Sequence, residues 1–565
     1  MTTKTNTRRG LAVAVSLVAL ATAMPANADT AQPSTLSMLE AMVSNGVISQ
    51  AQADKIIKDA EARDAVRAAS GQSAPVPEGT KRVAYVPEIV KQQLRDEIQA
   101  KVMAQAKEEK WAAPNTHPEW SERIKFRGDI RGRYEGTYFP DGNVVGNDVA
   151  DNWDFNAINT GKPIDINATS SADRYRNADQ NRERFRLRAR LNVDADLGEG
   201  FSTGMRIATG DGNSPVSTNQ SLGGSGGNFS KYQIWLDRAF IHWDAVNDKE
   251  MGLGLNVGRF DNPFFGTDLI WDDDLGFDGV AVSGKYQVAK GVTPFLTMGA
   301  FPVYNTSFNL SSEQPEKQQS QDKWLYGLQA GTDWQPSRKV GLKFGAGYYH
   351  FTNIEGKQSE PCTLWLSDTS CDTDDNRPAF AQKGNTYMAL RREAAGRPGG
   401  NTAEYQYFGL ATPFRELSLT GRGTYDASDR FRLTVDGEFV KNLALDDKRV
   451  NQLAYNNLSS DGSNTYEGGD TGYMMRLTVG TPALAQRWDW NASLAYKYLE
   501  SDAVVDGLTD SDFGMGGTNL KGFVLGGNLA LAKNVWTSLR WMSADSIAGA
   551  PYSVDSVQAD LTAKF

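Results

Sequence analysis

Cysteine and histidine are the scarcest residues in this chain of 565 residues, which contains two cysteines and three histidines. Two cysteines are too few for a scaffold held together by several disulfides. The histidines, His117, His242 and His350, lie far apart in sequence, which gives little support for a metal centre or a His-dependent catalytic site. We therefore expect no metal, no cofactor and no enzymatic activity.

Long apolar runs are also missing. No stretch reaches the roughly eighteen apolar residues that a membrane-spanning helix needs, and the mean hydropathy is −0.49. The formal net charge is −10, and an acidic chain is a poor match for nucleic acid. These absences argue against a helical membrane protein and against a nucleic-acid partner.

Glycine and aromatic residues are abundant instead. The chain contains 55 Gly, 24 Phe, 20 Tyr and 13 Trp. Aromatic residues favour β-strands, and glycine favours the turns between strands. The composition therefore predicts many strands joined by turns.

Residues 1–28 match a signal peptide. Lys4, Arg8 and Arg9 precede the short apolar stretch LAVAVSLVALATA, and the small-x-small pattern of a cleavage site follows at residues 26–28. We expect the protein to be exported and cleaved after Ala28.

Residues 29–118 are predicted to form a helical periplasmic segment with linkers. Residues 36–45 have a short helical pattern, and the capping-box sequence at Ser49 opens a second helix that runs to about Ala68. A third helix is expected at 87–110, after a linker. This third helix is either a solvated periplasmic helix or a surface for self-association, and both interpretations stay open.

From residue 119 onward the hydrophobic period changes from that of a helix to that of a strand. In ERIKFRGDIRGRYE and RERFRLRARLNVDADL, apolar and charged residues alternate without a break. The basic residues of the two charged faces are Arg123, Lys125, Arg127, Arg131, Arg133, Arg184, Arg186, Arg188 and Arg190. A soluble strand does not need so long a run with a fully charged reverse face.

Sixteen segments of this kind occur between residues 119 and 565, and the connections between them alternate between long and short. Long loops on one side and tight turns on the other are typical of an outer-membrane barrel. A sheet can cross a bilayer only when it closes, because lipid offers no partner for an open edge. The sequence therefore predicts an all-β transmembrane barrel of about 16 antiparallel strands, with both chain ends on the periplasmic side.

The last eleven residues, DSVQADLTAKF, agree with this prediction. Their apolar face is expected to contact lipid and their polar face to line the barrel interior. Phe565 then lies at the periplasmic rim, within the aromatic girdle. A secreted β-solenoid is the rival fold, and the chain lacks the fixed-length repeat that a solenoid shows.

Several segments resemble the bacterial outer-membrane "putative porin" family over about residues 85–565. They are FRGDIRGRYE, NRERFRLRARL, LDRAFIHW, GRFDNPFF with DLIWDDDLGFDGVAVSGKY, and VDGEFVKN. The resemblance implies a water-filled barrel in outer-membrane lipid, often a homotrimer, that is narrowed by its third surface loop. It also implies that the terminal Phe565 is recognised by the outer-membrane assembly machinery. The helical N-terminal segment departs from simple diffusion porins.

The third long connection covers residues 261–278 and is rich in aspartate. Its carboxylates are Asp261, Asp268, Asp272, Asp273, Asp274 and Asp278. We expect this acidic loop to face the basic wall across the constriction, which would create a transverse field. Equally, the arginines can be structural and hold the loop by pairing with its carboxylates. Strict alternation would aim Arg259 at lipid, so a bulge or strand end is expected there.

Cys362 and Cys371 lie together in a polar stretch rich in Gly, Asp and Pro. In an exported protein such a pair is expected to form a local disulfide.

These features predict a porin for passive diffusion of small hydrophilic solutes and ions. One alternative is a channel biased toward anions, which would bind to the arginines. A second is an envelope tether in which residues 29–110 contact peptidoglycan and the barrel serves as an anchor.

Overall fold

A computed structural model provides the structure of the protein. The residues that it describes are 43, 50–68, 95, 97, 98, 101, 119–146, 150–168, 174–224, 226–305 and 321–565. The chain divides into two units, residues 1–114 and 115–565. The predicted signal peptide lies outside the described residues, as does most of the predicted first and third helices.

The described part of the first unit contains one helix, α1 (Gln50–Ala68). It begins directly after Ser49, where the capping-box sequence predicted a helix start, so the second predicted helix is confirmed. Gln50 Nε2 donates to Asp54 Oδ1 at 3.3 Å across the first turn. Among the described residues, no helix has the length and apolar character needed to cross a membrane.

The described part of the second unit forms one closed antiparallel sheet of sixteen long strands. In chain order they are β1 (Ile124–Tyr138), β2 (Arg182–Gly198), β3 (Phe201–Thr209), β4 (Ile234–Asn247), β5 (Met251–Asp261), β6 (Gly276–Tyr286), β7 (Val292–Tyr304), β8 (Lys323–Ser337), β9 (Val340–Thr352), β10 (Arg415–Ser428), β11 (Phe431–Asn442), β12 (Thr471–Gly480), β13 (Trp490–Leu499), β14 (Leu520–Ala532), β15 (Val535–Ser546) and β16 (Ser553–Lys564). Each strand pairs with its chain neighbour, and β1 also pairs with β16. The predicted sixteen-stranded barrel is therefore confirmed.

Shorter elements lie before β1 and in the long connections. The helices are α2 (Glu119–Arg123), α3 (Phe155–Thr160) and α4 (Asp447–Leu453), with 3₁₀ turns at Ala150–Asn152, Asp374–Asn376, Asp506–Leu508 and Phe513–Met515. Two-stranded pairs join Ile164–Asp165 to Tyr405–Gln406, Pro361–Cys362 to Arg392–Glu393, and Tyr387–Ala389 to Phe408–Leu410. A further short strand, Gln220–Ser221, adds to the edge of β2.

The barrel is apolar outside and polar inside. On β1, Phe126 is 66% exposed, whereas Asp129 and Arg133 are 5% and 4% exposed. On β16, Leu561 is exposed and Gln558 is buried. The two faces of these strands therefore follow the predicted alternation, with the charged face turned into the barrel.

The largest hydrophobic core lies in the long connections and not between barrel strands alone. Phe155 of α3 stacks on Tyr387 with ring centroids 4.1 Å apart, and its edge meets Phe408 at 5.2 Å. All three rings are buried. Residues 353–414, between β9 and β10, supply much of this core, and a disulfide joins Cys362 to Cys371 within them.

The chain terminus closes the barrel against Gly128. The Gly128 amide donates to the Phe565 carbonyl at 3.0 Å, and the Phe565 amide donates back at 3.1 Å. A Cβ atom at Gly128 would meet the Phe565 ring and lie 2.7 Å from the Arg190 carbonyl oxygen. Gly132 lies four residues further along β1, on the same face, and a Cβ atom there would meet nothing within 4 Å.

We therefore expect Gly128→Ala to destabilise the closing seam by about 1–3 kcal/mol, which is the usual cost of overpacking. The matched control is Gly132→Ala, on the same face of the same strand, which has room for its methyl group. The free energy of unfolding is measured from heat-modifiable gel mobility across a urea series. Equal stabilities of the two variants would contradict this account of the seam.

Candidate functional site

The basic wall on β1 and β2 is interleaved with carboxylates of β1 itself. Arg190 Nε donates to Asp129 Oδ1 at 2.8 Å, and Arg188 Nη2 lies 3.0 Å from Asp129 Oδ2. Arg184 Nε donates to Glu135 Oε1 at 2.8 Å. The strand register explains these pairs, because it places Asp129 opposite Arg190 and Glu135 opposite Arg184. Arg186 reaches Glu135 along the diagonal, at 3.3 Å.

A second charged cluster joins β1 to β15, β16 and the connection between β13 and β14. Arg133 donates to Asp560 at 2.8 Å and to Asp512 at 3.2 Å. Asp512 also accepts from Arg540. Arg131 lies beside this cluster, and its guanidinium is 3.9 Å from Asp560. The inward arginines of this region are thus held by several carboxylates.

The basic residues at the start of the predicted wall occupy a different environment. Arg127 is mostly exposed and binds Asp194 at 3.0 Å, and Lys125 is also exposed. Arg123 ends the short helix α2 and does not belong to β1. The prediction that Arg123 lies on the strand face was wrong, because the chain completes a helical turn before β1 begins.

Residues 262–275, which connect β5 to β6, run through the barrel interior. The Phe265 amide donates to Gln329 Oε1 of β8 at 2.7 Å, and the Thr267 amide donates to Glu438 of β11 at 3.0 Å. Asp268 binds Arg476 of β12 at 2.8 Å. In a closed barrel of sixteen strands, β12 lies opposite β5, so the segment spans the lumen.

Aromatic packing fixes this segment to the inner wall. Phe264 and Trp271 both meet the ring of Tyr349 on β9 edge-on, at centroid distances of 5.0 and 5.1 Å. Between them, Leu269 and Ile270 are buried. The segment is therefore a packed element with apolar anchors on both sides of Asp268.

Two of the six aspartates expected in the loop belong to strands. Asp261 ends β5 and binds Arg238 at 2.7 Å, and Asp278 of β6 binds Arg259 at 2.7 Å. The loop predicted at 261–278 therefore covers only residues 262–275, because Asp261 and residues 276–278 pair in the ladder between β5 and β6.

The remaining aspartates divide between the two sides of the lumen. Asp274 lies 3.6 Å from Arg190 and 4.0 Å from Arg188. Asp268 instead binds Arg476 and Lys497, on the opposite wall. The expectation that the loop aspartates face the arginines of β1 and β2 was therefore wrong for Asp268, because the segment crosses the lumen between Asp268 and Asp274.

Arg259 of β5 is not at a bulge, but β4, the strand that precedes it, contains one. The register between β3 and β4 pairs Arg206 with Arg238 and then Ile207 with Leu236, so Asp237 has no cross-strand partner. Asp237 and Arg238 are both buried as a result, and Asp237 accepts from Arg206. The sequence carries this signal, since the outward apolar residues of LDRAF are three apart instead of two.

Lys497 of β13 was missed by the sequence reasoning. Its side chain is 3% exposed, and Nζ lies 2.9 Å from Asp268 and 2.5 Å from Asp510. The signal was available, because Lys497 is the one charged residue in the aromatic strand SLAYKYL.

Asp272 is the carboxylate with the clearest pKa shift in the crossing segment. It is buried, and its oxygens accept from the amides of Asp274 at 2.8 Å and Ser511 at 2.9 Å. Burial, followed by the charges of Asp510 and Asp274, raises the pKa of Asp272 to about 8. Within the described residues, no group of three or more His, Cys, Asp or Glu side chains is arranged to hold a metal ion.

A closed barrel with an apolar outer face, a charged interior and a chain segment across its lumen defines an outer-membrane channel protein. The family model described as "Putative porin" matches residues 32–565, and the chain belongs to this family. Family and fold place the protein in the outer membrane and indicate a channel rather than an enzyme.

Several solved outer-membrane proteins are similar to this chain at low sequence identity. OprB of Pseudomonas putida, in its high-pH structure, is 12% identical, covers 79% of this chain and 95% of its own, and has a TM-score of 0.40. The outer membrane channel DcaP of Acinetobacter baumannii is 10% identical, with 78% and 97% covered and a TM-score of 0.35. The anion-selective porin from Comamonas acidovorans is 10% identical, with 78% and 99% covered and a TM-score of 0.34. A search of curated proteins finds no match.

We expect Asp268→Asn to loosen the crossing segment, because Arg476 and Lys497 both lose a charged partner. A hydrogen bond to a charged group contributes about 1.5–3 kcal/mol. The variant should therefore show more open-channel current noise in single-channel recordings. Asp273→Asn is the matched control, since Asp273 is exposed and has no ion pair among the described residues. Equal noise in the two variants would contradict the proposed anchor.

Asp272 should make the crossing segment sensitive to pH. Its pKa is higher in the folded chain than the usual 3.8, so the folded state is favoured most at low pH and loses stability as the pH rises from about 4 to 8. Hydrogen exchange of residues 262–275 should accordingly increase over this range, relative to Asp272→Asn at each pH. Asp429→Asn, in a short turn of the barrel, is the control and should behave as the wild type does. A parallel response of wild type and Asp272→Asn would count against this assignment.

Proposed function

We propose that the chain forms a water-filled channel for passive diffusion of small hydrophilic solutes and ions, narrowed by residues 262–275. The observation that carries the proposal is the position of this segment. Asp268 is held at β12 and β13, and six residues later Asp274 lies 3.6 Å from Arg190 of β2. A segment attached at both walls leaves passage only beside it.

The arginines of β1 and β2 are proposed to line this passage. Arg188 and Arg190 keep 14% and 19% of their side chains exposed, although both bind Asp129. A solute in the lumen would therefore meet cations and carboxylates in alternation. Such a wall orients polar solutes without offering a free binding site, which supports a diffusion channel with weak ion selectivity.

The anion-preferring channel is the second candidate, and Arg131 is the residue that favours it. Its Nε atom is buried without a hydrogen-bond partner, and its nearest carboxylate in the described region is 3.9 Å away. Arg131 is thus the least compensated arginine of the wall.

Single-channel recording of the purified protein in a planar bilayer under a KCl gradient tests the proposal. The diffusion channel predicts stable conductance steps with a reversal potential near zero. Strong anion selectivity would favour the second candidate. Folded, heat-modifiable protein that gives no conductance would overturn both.

Removing one positive charge or one negative charge from the lumen should shift the cation-to-anion selectivity in opposite directions. One charge at 4 Å in water-like surroundings is worth about 1 kcal/mol, or about fivefold in local ion concentration. We therefore expect Arg131→Gln to raise, and Asp274→Asn to lower, the K⁺ to Cl⁻ permeability ratio by up to about fivefold. Lys125→Gln, exposed near the start of β1, is the control. A shift in the same direction for both lumen variants would contradict the proposed lining.

The homotrimer, the recognition of Phe565 by the assembly machinery and a contact of residues 29–110 with peptidoglycan stay predictions. Chemical cross-linking of the protein in its native membrane checks the first of these.

A further inference from the structure

A cavity of about 750 Å³ lies beside the lumen at the end of the barrel that carries the long connections. It is lined by the ends of β3, β4, β7 and β8, by residues 211–218, and by parts of the long connections around residues 378–380 and 505–508. Cavities of roughly 300–1,000 Å³ are the usual size for small-molecule sites. The size of this cavity therefore suits an organic solute rather than a bare ion.

Part of its wall is a buried cluster of aromatic rings in edge-to-face contact. Trp271 meets Phe277 edge-on at a centroid distance of 5.3 Å, and Phe277 meets Phe301 at 5.1 Å. All three side chains are buried and line the cavity together with Trp235 and Phe380. Such a surface binds an apolar or aromatic body with little loss of side-chain freedom.

The charge of the cavity is negative among the described residues that line it. Its carboxylates are Asp211, Asp237, Asp274, Asp278 and Asp506, and its cations are Arg259 and Lys323. Neither cation is open to a solute, because Arg259 has an ion pair and Lys323 is only 2% exposed. Arg259 binds Asp278 at 2.7 Å, and Lys323 Nζ donates to the carbonyl oxygens of Asn376 at 2.6 Å and Arg377 at 3.0 Å.

Asp211 is the accessible carboxylate without an ion pair. It accepts from neutral donors, namely Gln220 Nε2 at 2.5 Å, the Ser221 amide at 2.8 Å and the Ser221 hydroxyl at 2.5 Å. In the described part of the chain, no Lys or Arg lies within 4.0 Å of it. Asp237 and Asp274, by contrast, are held by arginines of the barrel wall.

We propose that this cavity is a binding vestibule for solutes that combine an aromatic or apolar body with a cationic amine. The aromatic wall accepts the body, and Asp211 accepts the ammonium group as a charged hydrogen-bond partner. A carboxylate solute of the same shape finds no accessible unpaired cation here and meets the charge of Asp211 instead. The proposal deepens the channel function and rests on it, because the vestibule opens beside the proposed passage.

The experiment compares two probes of similar shape on the purified full chain in detergent. Ligand-observed NMR gives the dissociation constants of phenethylamine and of 3-phenylpropanoate. We expect the amine to bind at least about fivefold more tightly, the effect of one charge at contact distance. Asp211→Asn should remove most of this preference, and Asp211→Lys should reverse it. Asp429→Asn, in a short turn between β10 and β11, should leave it unchanged.

Equal or tighter binding of the carboxylate to the wild type would overturn the proposal, and so would an amine preference that Asp211→Asn leaves intact. Single-channel recording with phenethylamine added separates this outcome from a failure of the channel function. Conductance without amine preference rejects the vestibule alone. Amine preference in a protein without conductance keeps the binding site and rejects the channel.

Discussion

The structure depends first on the requirement that no backbone hydrogen bond be left open in lipid. A sheet meets this requirement only by closing, and here β1 pairs with β16 while the Phe565 backbone continues the ladder to Gly128. Closure then decides the polarity of every strand, because one face meets lipid and the other an enclosed interior. The many charges of this chain are consequently concentrated in a confined space, and they must be neutralised there.

Neutralisation follows strand register. Asp129 and Glu135 each serve two arginines of β2, and Asp560 and Asp512 serve Arg133. Asp129 and Glu135 lie on β1, which is the chain neighbour of β2. Asp560 reaches Arg133 because the barrel is closed, and Asp512 reaches it because a connection folds inward. The same pairs that stabilise the barrel therefore set the electric field of its lumen, so structural and functional roles of these arginines coincide.

Strand existence was predictable from sequence, because alternation is a local property of each segment. Partner choice was not, since shifting a strand by two residues keeps the alternation and changes every ion pair. For this reason Arg188 and Arg190 could be identified from the sequence as inward-facing residues, whereas their partner Asp129 could not. The path of residues 262–275 was also inaccessible, because it depends on Gln329, Glu438 and Lys497, which are distant in the chain. The bulge at Asp237 was readable in principle from the spacing of LDRAF.

The core formed by the long connections has a consequence for how the protein tolerates change. Surface loops usually vary freely because they carry little buried area. Here Phe155, Tyr387 and Phe408 pack together as the interior of a water-soluble domain does. Substitutions in the long connections are thus limited by close packing, as they are in a globular core. The lipid-facing side of the strands, by contrast, accepts any apolar side chain of suitable size. Variation among related chains should accordingly be restricted where a cell-surface protein is normally most diverse.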